Sequence, residues 1–166
     1  IQIEIATEFF KEKITATGHD PDDSKRICVG MVFLPRTDYL EQEKCREIIE
    51  SVLLEENYSI YGWRQVPINS SVLGKTAEQS RPEIAQVMFK KNQNLETNDL
   101  ERNLFETRKK IEKLARKNQL KNFYICSFSS RSIVYKGMFL AEMLAEFYPD
   151  LNDEKLTSRF AIFHQR

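Results

Sequence analysis

The stretch ICVGMVFL (Ile27–Leu34) decides the fold. It has no polar residue, and Pro35 closes it. A strand with one wet face alternates apolar and polar side chains, whereas an unbroken apolar run of this length is covered on both faces. NFYICSF (Asn122–Phe128) and RFAIF (Arg159–Phe163) read the same way. Strands covered twice sit inside a layered stack, so a sheet packed on a second sheet or on helices is predicted.

The neighbouring segments supply the layers. Ile1, Ile3 and Ile5 alternate with Gln2 and Glu4, predicting a half-buried strand that runs into a short helix over Thr7–Thr15. Asp38 with Glu41 three residues on predicts a helix start. Cys45, Ile48, Ile49, Val52 and Leu53 then recur on one face to about Asn57. Ser59–Val66 and Ile84–Phe89 read as strands joined by a long loop, 67–83. Asn98 with Glu101 predicts the start of the longest helix, to about Lys117, with Leu100, Leu104, Ile111 and Leu114 on its apolar face. Asn122–Phe128 and Ser132–Tyr135 read as a hairpin about Ser129–Arg131, which favours antiparallel pairing, and Met138–Tyr148 reads as a buried helix. The fold class expected is α/β (α+β), a single domain over residues 1–166.

Composition excludes several functions. Lys plus Arg and Asp plus Glu both number 25, so the formal net charge is zero and neither nucleic acid nor an anionic membrane is an expected partner. Three cysteines, Cys28, Cys45 and Cys126, have no CxxC spacing, which fits a reducing compartment and argues against a disulfide framework or a structural zinc. The first residue is Ile1, with no signal-peptide pattern behind it, so an upstream segment is expected to be missing.

Candidate chemistry is sparse. His19 and His164 are the only histidines. His19 lies among Asp20, Asp22 and Asp23 without calcium-loop spacing, so a solvated turn is expected over a metal site. Cys45 falls on an apolar helix face, and Cys28 and Cys126 fall in apolar strands, where packing is the expected role because reactive thiols need an open, electropositive setting. His164 and Arg166 share a strand face with Phe160 and Ile162. A guanidinium there suits a planar carboxylate, either a structural partner or a ligand.

Four blocks, YGWRQVP (Tyr61–Pro67), LGKTAEQSRPEIAQV (Leu73–Val87), SRSIVYKGM (Ser130–Met138) and FYPDLNDEKLTSRFAIFHQR (Phe147–Arg166), together resemble the glutaminase region of glutamate synthases, which are class II glutamine amidotransferases and N-terminal-nucleophile hydrolases. The resemblance implies a four-layer α/β/β/α sandwich of antiparallel sheets, here incomplete at both ends. It implies hydrolysis of L-glutamine to glutamate and ammonia for reductive amination of 2-oxoglutarate, with an N-terminal cysteine as nucleophile and its α-amino group as base. That cysteine is absent from this chain, and the Asn-Gly pair of the family's oxyanion hole is absent too, so the segment alone is expected to be inactive. Arg166 matches the family arginine that holds the glutamine α-carboxylate. Cys28 in ICVG faintly echoes the family's mature start, but it is internal and is rejected as the nucleophile. FMN and an iron-sulfur cluster are expected in other domains of the same polypeptide, with ferredoxin or an NAD(P)H-linked small subunit as electron donor and the cytoplasm or plastid stroma as location. The alternative is a non-catalytic α/β binding module descended from such a domain.

Overall fold

The computed structural model describes residues 1–164. Its strands are β1 (Gln2–Glu4), β2 (Cys28–Leu34), β3 (Tyr58–Gln65), β4 (Glu83–Lys91), β5 (Tyr124–Ser129), β6 (Ser132–Val134) and β7 (Ala161–Ile162). Its helices are α1 (Thr7–Thr15), α2 (Tyr39–Glu55), α3 (Lys75–Ser80), α4 (Thr97–Lys117) and α5 (Leu144–Phe147), with short 3-10 turns at Ser70–Val72, Ala141–Met143 and Pro149–Asn152. The strands form two antiparallel sheets, a larger one in the order β3-β4-β2-β5 and a smaller one in the order β6-β1-β7.

The doubly apolar β2 lies inside the larger sheet, between β4 and β5, and separates two cores. Val29 and Met31 point towards the smaller sheet and α1, joining Ile3, Ile133, Phe9, Phe10 and Ile14. Cys28, Val32 and Leu34 point the other way, onto Ile49 and Val52 of α2 and Leu104 and Ile111 of α4. The layer order is therefore helices, larger sheet, then smaller sheet with α1. This agrees with the antiparallel α+β reading; the second helical layer implied by the resemblance is not among the described residues.

Local chemistry explains the boundaries. Asp38 accepts a hydrogen bond from the Glu41 amide at 2.9 Å and caps α2, while Asn57 takes φ 58° just past its end, where a left-handed residue closes a helix. Gly62 sits at φ 143° where β3 bulges against β4, and a Cβ there would meet the Thr17 side chain at 3.1 Å.

Four expectations need correction. Residues 122–135 are not a hairpin: β5 pairs with β2 and β6 pairs with β1, so the chain changes sheets at Ser130–Arg131. A bulge in β5 makes the crossing, because Val32 faces Ile125 while Met31 faces Ser127, leaving Cys126 as the extra residue. Both bulged side chains then serve β6: the Val134 amide donates to Ser127 Oγ at 3.1 Å, and Cys126 Sγ lies 3.4 Å from the Val134 carbonyl oxygen. Secondly, α4 starts at Thr97 without a side-chain cap: Asn98 and Glu101 both lie inside the helix, and the Glu101 carboxylate binds Ser129 and Ser130. Thirdly, Met138–Tyr148 is not one buried helix. Residues 136–140 form no helix and bend at Met138–Phe139, Met138 and Leu140 face solvent, and only the end of the segment winds into α5 before Pro149. Finally, β7 is a two-residue edge strand paired only with β1, and Phe160, Ile162 and Phe163 are exposed.

Gly30 is the tightest point of the double-faced strand. A Cβ there would lie 2.8 Å from both Phe128 and Val87, and the Phe128 ring is held against Phe89 with centroids 4.9 Å apart. Gly30→Ala should therefore destabilise the protein by about 1–3 kcal/mol, the usual cost of overpacking. Urea unfolding with an unchanged midpoint would show that the two rings move aside freely.

Candidate functional site

Two polar constellations stand out. The first is an open cleft of about 1070 Å³ at the Glu4 end of β1, lined by Lys25, Arg26, Glu101, Ser130, Arg131 and Arg159 among others. Its floor is the corner where the chain changes sheets. Ser129 Oγ donates to Glu101 Oε2 at 2.8 Å and accepts from the Arg131 and Ser132 amides, and the amide and hydroxyl of Ser130 both donate to Glu101 Oε1 at 2.7 Å. A serine beside a carboxylate can be a nucleophile with its base. Here Ser129 Oγ is held by three partners in a tight turn, so the arrangement staples α4 to the β5–β6 corner. At the rim the Arg159 guanidinium forks onto Glu4, with an Nη2–Oε1 distance of 2.6 Å, and holds that exposed carboxyl below its ordinary range.

The second constellation is buried between the sheets. Arg64 of β3 forms a bidentate pair with Asp150, at 2.8 and 2.9 Å, and donates to Gln86 Oε1 at 2.9 Å. Tyr135 donates its hydroxyl to Asp150 Oδ2 at 3.2 Å, and Gln86 Nε2 lies 3.4 Å from the same hydroxyl. Burial pushes the Tyr135 phenol well above its ordinary pKa, so it remains a donor. The side chains of Arg64 and Asp150 are only 13% and 4% exposed, and the Arg64 guanidinium also lies 5.4 Å from the Phe9 ring centroid. No fully buried side-chain polar atom of the group lacks a partner, and no cavity reaches it among those described, so its role is to lock the sheets together.

Backbone bonds carry that lock to the start of β1: the Ile1 amine donates to the Tyr135 carbonyl at 2.8 Å, and the Tyr135 amide donates to the Ile1 carbonyl at 2.9 Å. β7 leaves the cleft at Phe160 and runs antiparallel to β1, with Ile162 opposite Gln2. Arg166, the residue matched to glutamine binding, lies outside the described residues. His164 follows β7 and is exposed. His19 is exposed in its loop with Nδ1 3.2 Å from Thr17 Oγ1, and Asp22 is bound to Ser24 and Lys90, so the acidic turn is an ion-paired loop. No cluster of three metal-ligand side chains occurs among the described residues.

The cysteines behave as packing residues. All three are buried, and burial pushes the thiol of Cys45 up to about 12, that of Cys126 up to about 11 and that of Cys28 higher still. Lys91 is depressed by burial, but it sits against the Glu56 carbonyl and Asn103 Oδ1 at the end of α2, where it caps the helix C-terminus. Sequence reading missed the Arg64 and Glu101 groups. The available signal was an arginine inside the strand YGWRQV and a serine run interrupting two apolar strands.

Comparison with known proteins places the whole chain. A family model described as glutamine amidotransferases class-II matches residues 1–166. The chain is 48% identical over 166 residues to the glutamate synthase [NADPH] large chain of Azospirillum brasilense, covering all of this chain and 11% of that protein. It is 41% identical over 150 residues to the chloroplastic ferredoxin-dependent glutamate synthase of Spinacia oleracea, covering 90% of this chain and 9% of that protein. Against the ferredoxin-dependent glutamate synthase of Pyropia yezoensis it is 47% identical over 148 residues, 87% of this chain and 9% of the relative. The chain thus spans about a tenth of the length of these relatives.

Two outcomes follow from the geometry. Asp150→Asn should cost about 3–5 kcal/mol by leaving the Arg64 guanidinium buried without its anion, and the apolar double change Arg64→Met with Asp150→Leu should cost less than the two single changes summed. Urea unfolding of the wild type, Asp150→Asn, the two single apolar changes and the double change measures this, and simple additivity would mean the pair is not coupled. The native thiols should react with a disulfide reagent at pH 8 roughly a hundredfold more slowly than those of the urea-unfolded chain, because so little thiolate is present. A fast-reacting native cysteine would restore a described thiol as a nucleophile candidate.

Proposed function

The chain belongs to the class-II glutamine amidotransferases, and on that membership we propose that it is the internal scaffold of a glutaminase domain in a glutamate synthase. The parent polypeptide hydrolyses L-glutamine to glutamate and ammonia and passes the ammonia to 2-oxoglutarate for reductive amination. The observation carrying this reading is the unbroken match over residues 1–166, at 48% identity to a glutamate synthase large chain.

This segment's own contribution is binding and positioning. Arg166 holds the α-carboxylate of glutamine through two parallel hydrogen bonds, a geometry that a guanidinium fork favours over a lysine. The nucleophile is an N-terminal cysteine acting with its α-amino group, supplied elsewhere in the polypeptide; the three buried thiols here are unsuited to the task. The lock between Arg64, Asp150 and Tyr135 sets the start of β1, and β1 pairs with β7, the strand that precedes Arg166 in the sequence. On the same family reading, FMN and the iron-sulfur cluster belong to other domains of the polypeptide. The electron donor is either ferredoxin or a nicotinamide cofactor, the two named among the relatives, and the location is cytoplasm or plastid stroma.

The test is the full-length polypeptide assayed for glutamine-dependent glutamate formation from 2-oxoglutarate, with reduced ferredoxin or NADPH supplied. Arg166→Met should raise the KM for glutamine by about 100-fold or more, as expected for truncating one half of a desolvated charge pair. Absence of glutamine hydrolysis in the intact wild-type polypeptide would favour the binding module, and an unchanged KM in the variant would remove Arg166 from the glutamine site.

A further inference from the structure

The segment joining β6 to α5 is apolar in sequence, and the structure buries only part of it. Phe139 turns inward onto Phe147 and Tyr148, with ring centroids 4.8 and 6.1 Å away. Its neighbours on either side of the bend at Met138–Phe139 are left in solvent, Met138 69% and Leu140 61% exposed. Beside them opens a cavity of about 400 Å³ walled by Phe33, Leu73, Pro82, Ile84, Met138 and Phe147. An apolar hollow flanked by an exposed methionine and leucine is the surface of an interaction site, since solvent-facing chain of this kind is normally covered.

We propose that this face docks another stretch of the same polypeptide, one that places an apolar side chain in the cavity and an acidic side chain at its rim. Two observations select this occupant. The matched stretch is 11% and 9% of two full-length relatives, so most of such a polypeptide is available to cover the face. The rim carries a cation with no counter-charge among the described residues: Arg81 lines the cavity but is ion-paired with Glu78 at 3.0 Å, whereas the Lys136 ammonium meets only the neutral Tyr124, at 3.0 Å from its hydroxyl and 4.3 Å from its ring centroid. A second copy docking by the same face would bring lysine towards lysine, which a two-fold interface does not favour.

Photo-crosslinking of the full-length polypeptide tests this. Met138 or Leu140 is replaced by p-benzoylphenylalanine, in an equal mixture of light and 15N-labelled chains, and cross-linked peptides are identified by mass spectrometry. The expected result is cross-links from both positions to peptides outside residues 1–166 in chains of matching label, with the yield reduced several-fold by Lys136→Glu. Cross-links of mixed label would identify a second copy as the occupant and overturn the proposal. So would cross-links confined to residues 1–166, no cross-link at all, or a native polypeptide of about 20 kDa. Neither position belongs to the glutamine site, so a failure here leaves the glutaminase reading standing, and a lack of glutaminase activity leaves this one standing.

Discussion

The buried pair between Arg64 and Asp150 is the constraint on which the relation of the two sheets depends. Apolar packing between them is extensive but non-directional, and on its own it would tolerate sliding. A guanidinium fork on a carboxylate does not slide, because both of its hydrogen bonds are lost together. Arg64 belongs to the larger sheet, Asp150 to the turn after α5, and Tyr135 to the end of β6, so one group of side chains indexes three otherwise separate parts of the chain. Gln86 completes the group from the neighbouring strand β4.

A second, smaller lock handles the passage between the sheets. The β5 bulge at Cys126 points consecutive side chains at β6, and Glu101 collects the serines that follow. The start of α4 itself carries no side-chain cap. The helix is long enough for its apolar face to compensate, and Leu100, Leu104 and Ile111 are all buried.

Much of the fold was legible in the sequence because burial on both faces leaves a local signature. ICVGMVFL carries it in every residue, and α2 announces itself through Asp38 and its one-sided apolar stripe. Partner choice was less legible. A short serine-rich step between two apolar strands looks alike whether the strands pair with each other or leave for different sheets, and only the bulge, a three-dimensional feature, separates the cases. Met138–Tyr148 misled for a related reason: hydrophobicity reports that a surface is covered, not what covers it. RFAIF misled in the same way, its aromatic residues lying on an edge strand that faces solvent. Of the candidate site, the cysteines were read correctly as packing residues, whereas the Arg64 group was hidden because its members are separated by up to 86 positions and no local pattern links them.

The placement of β1 has a consequence for how the chain is made. This strand lies between β6 and β7, and its register pairs Gln2 with Val134 and with Ile162. On a ribosome adding about 5–20 residues per second, β1 therefore waits on the order of ten seconds before its first strand partner exists. The larger sheet is complete only when β5 ends at Ser129, just ahead of β6, and of the elements that cover its inner face α1 is made before it and the smaller sheet after it. Folding of this segment is thus expected to be ordered by closure distance, with α2, α4 and the larger sheet forming over shorter loops and the smaller sheet closing last, over the longest ones.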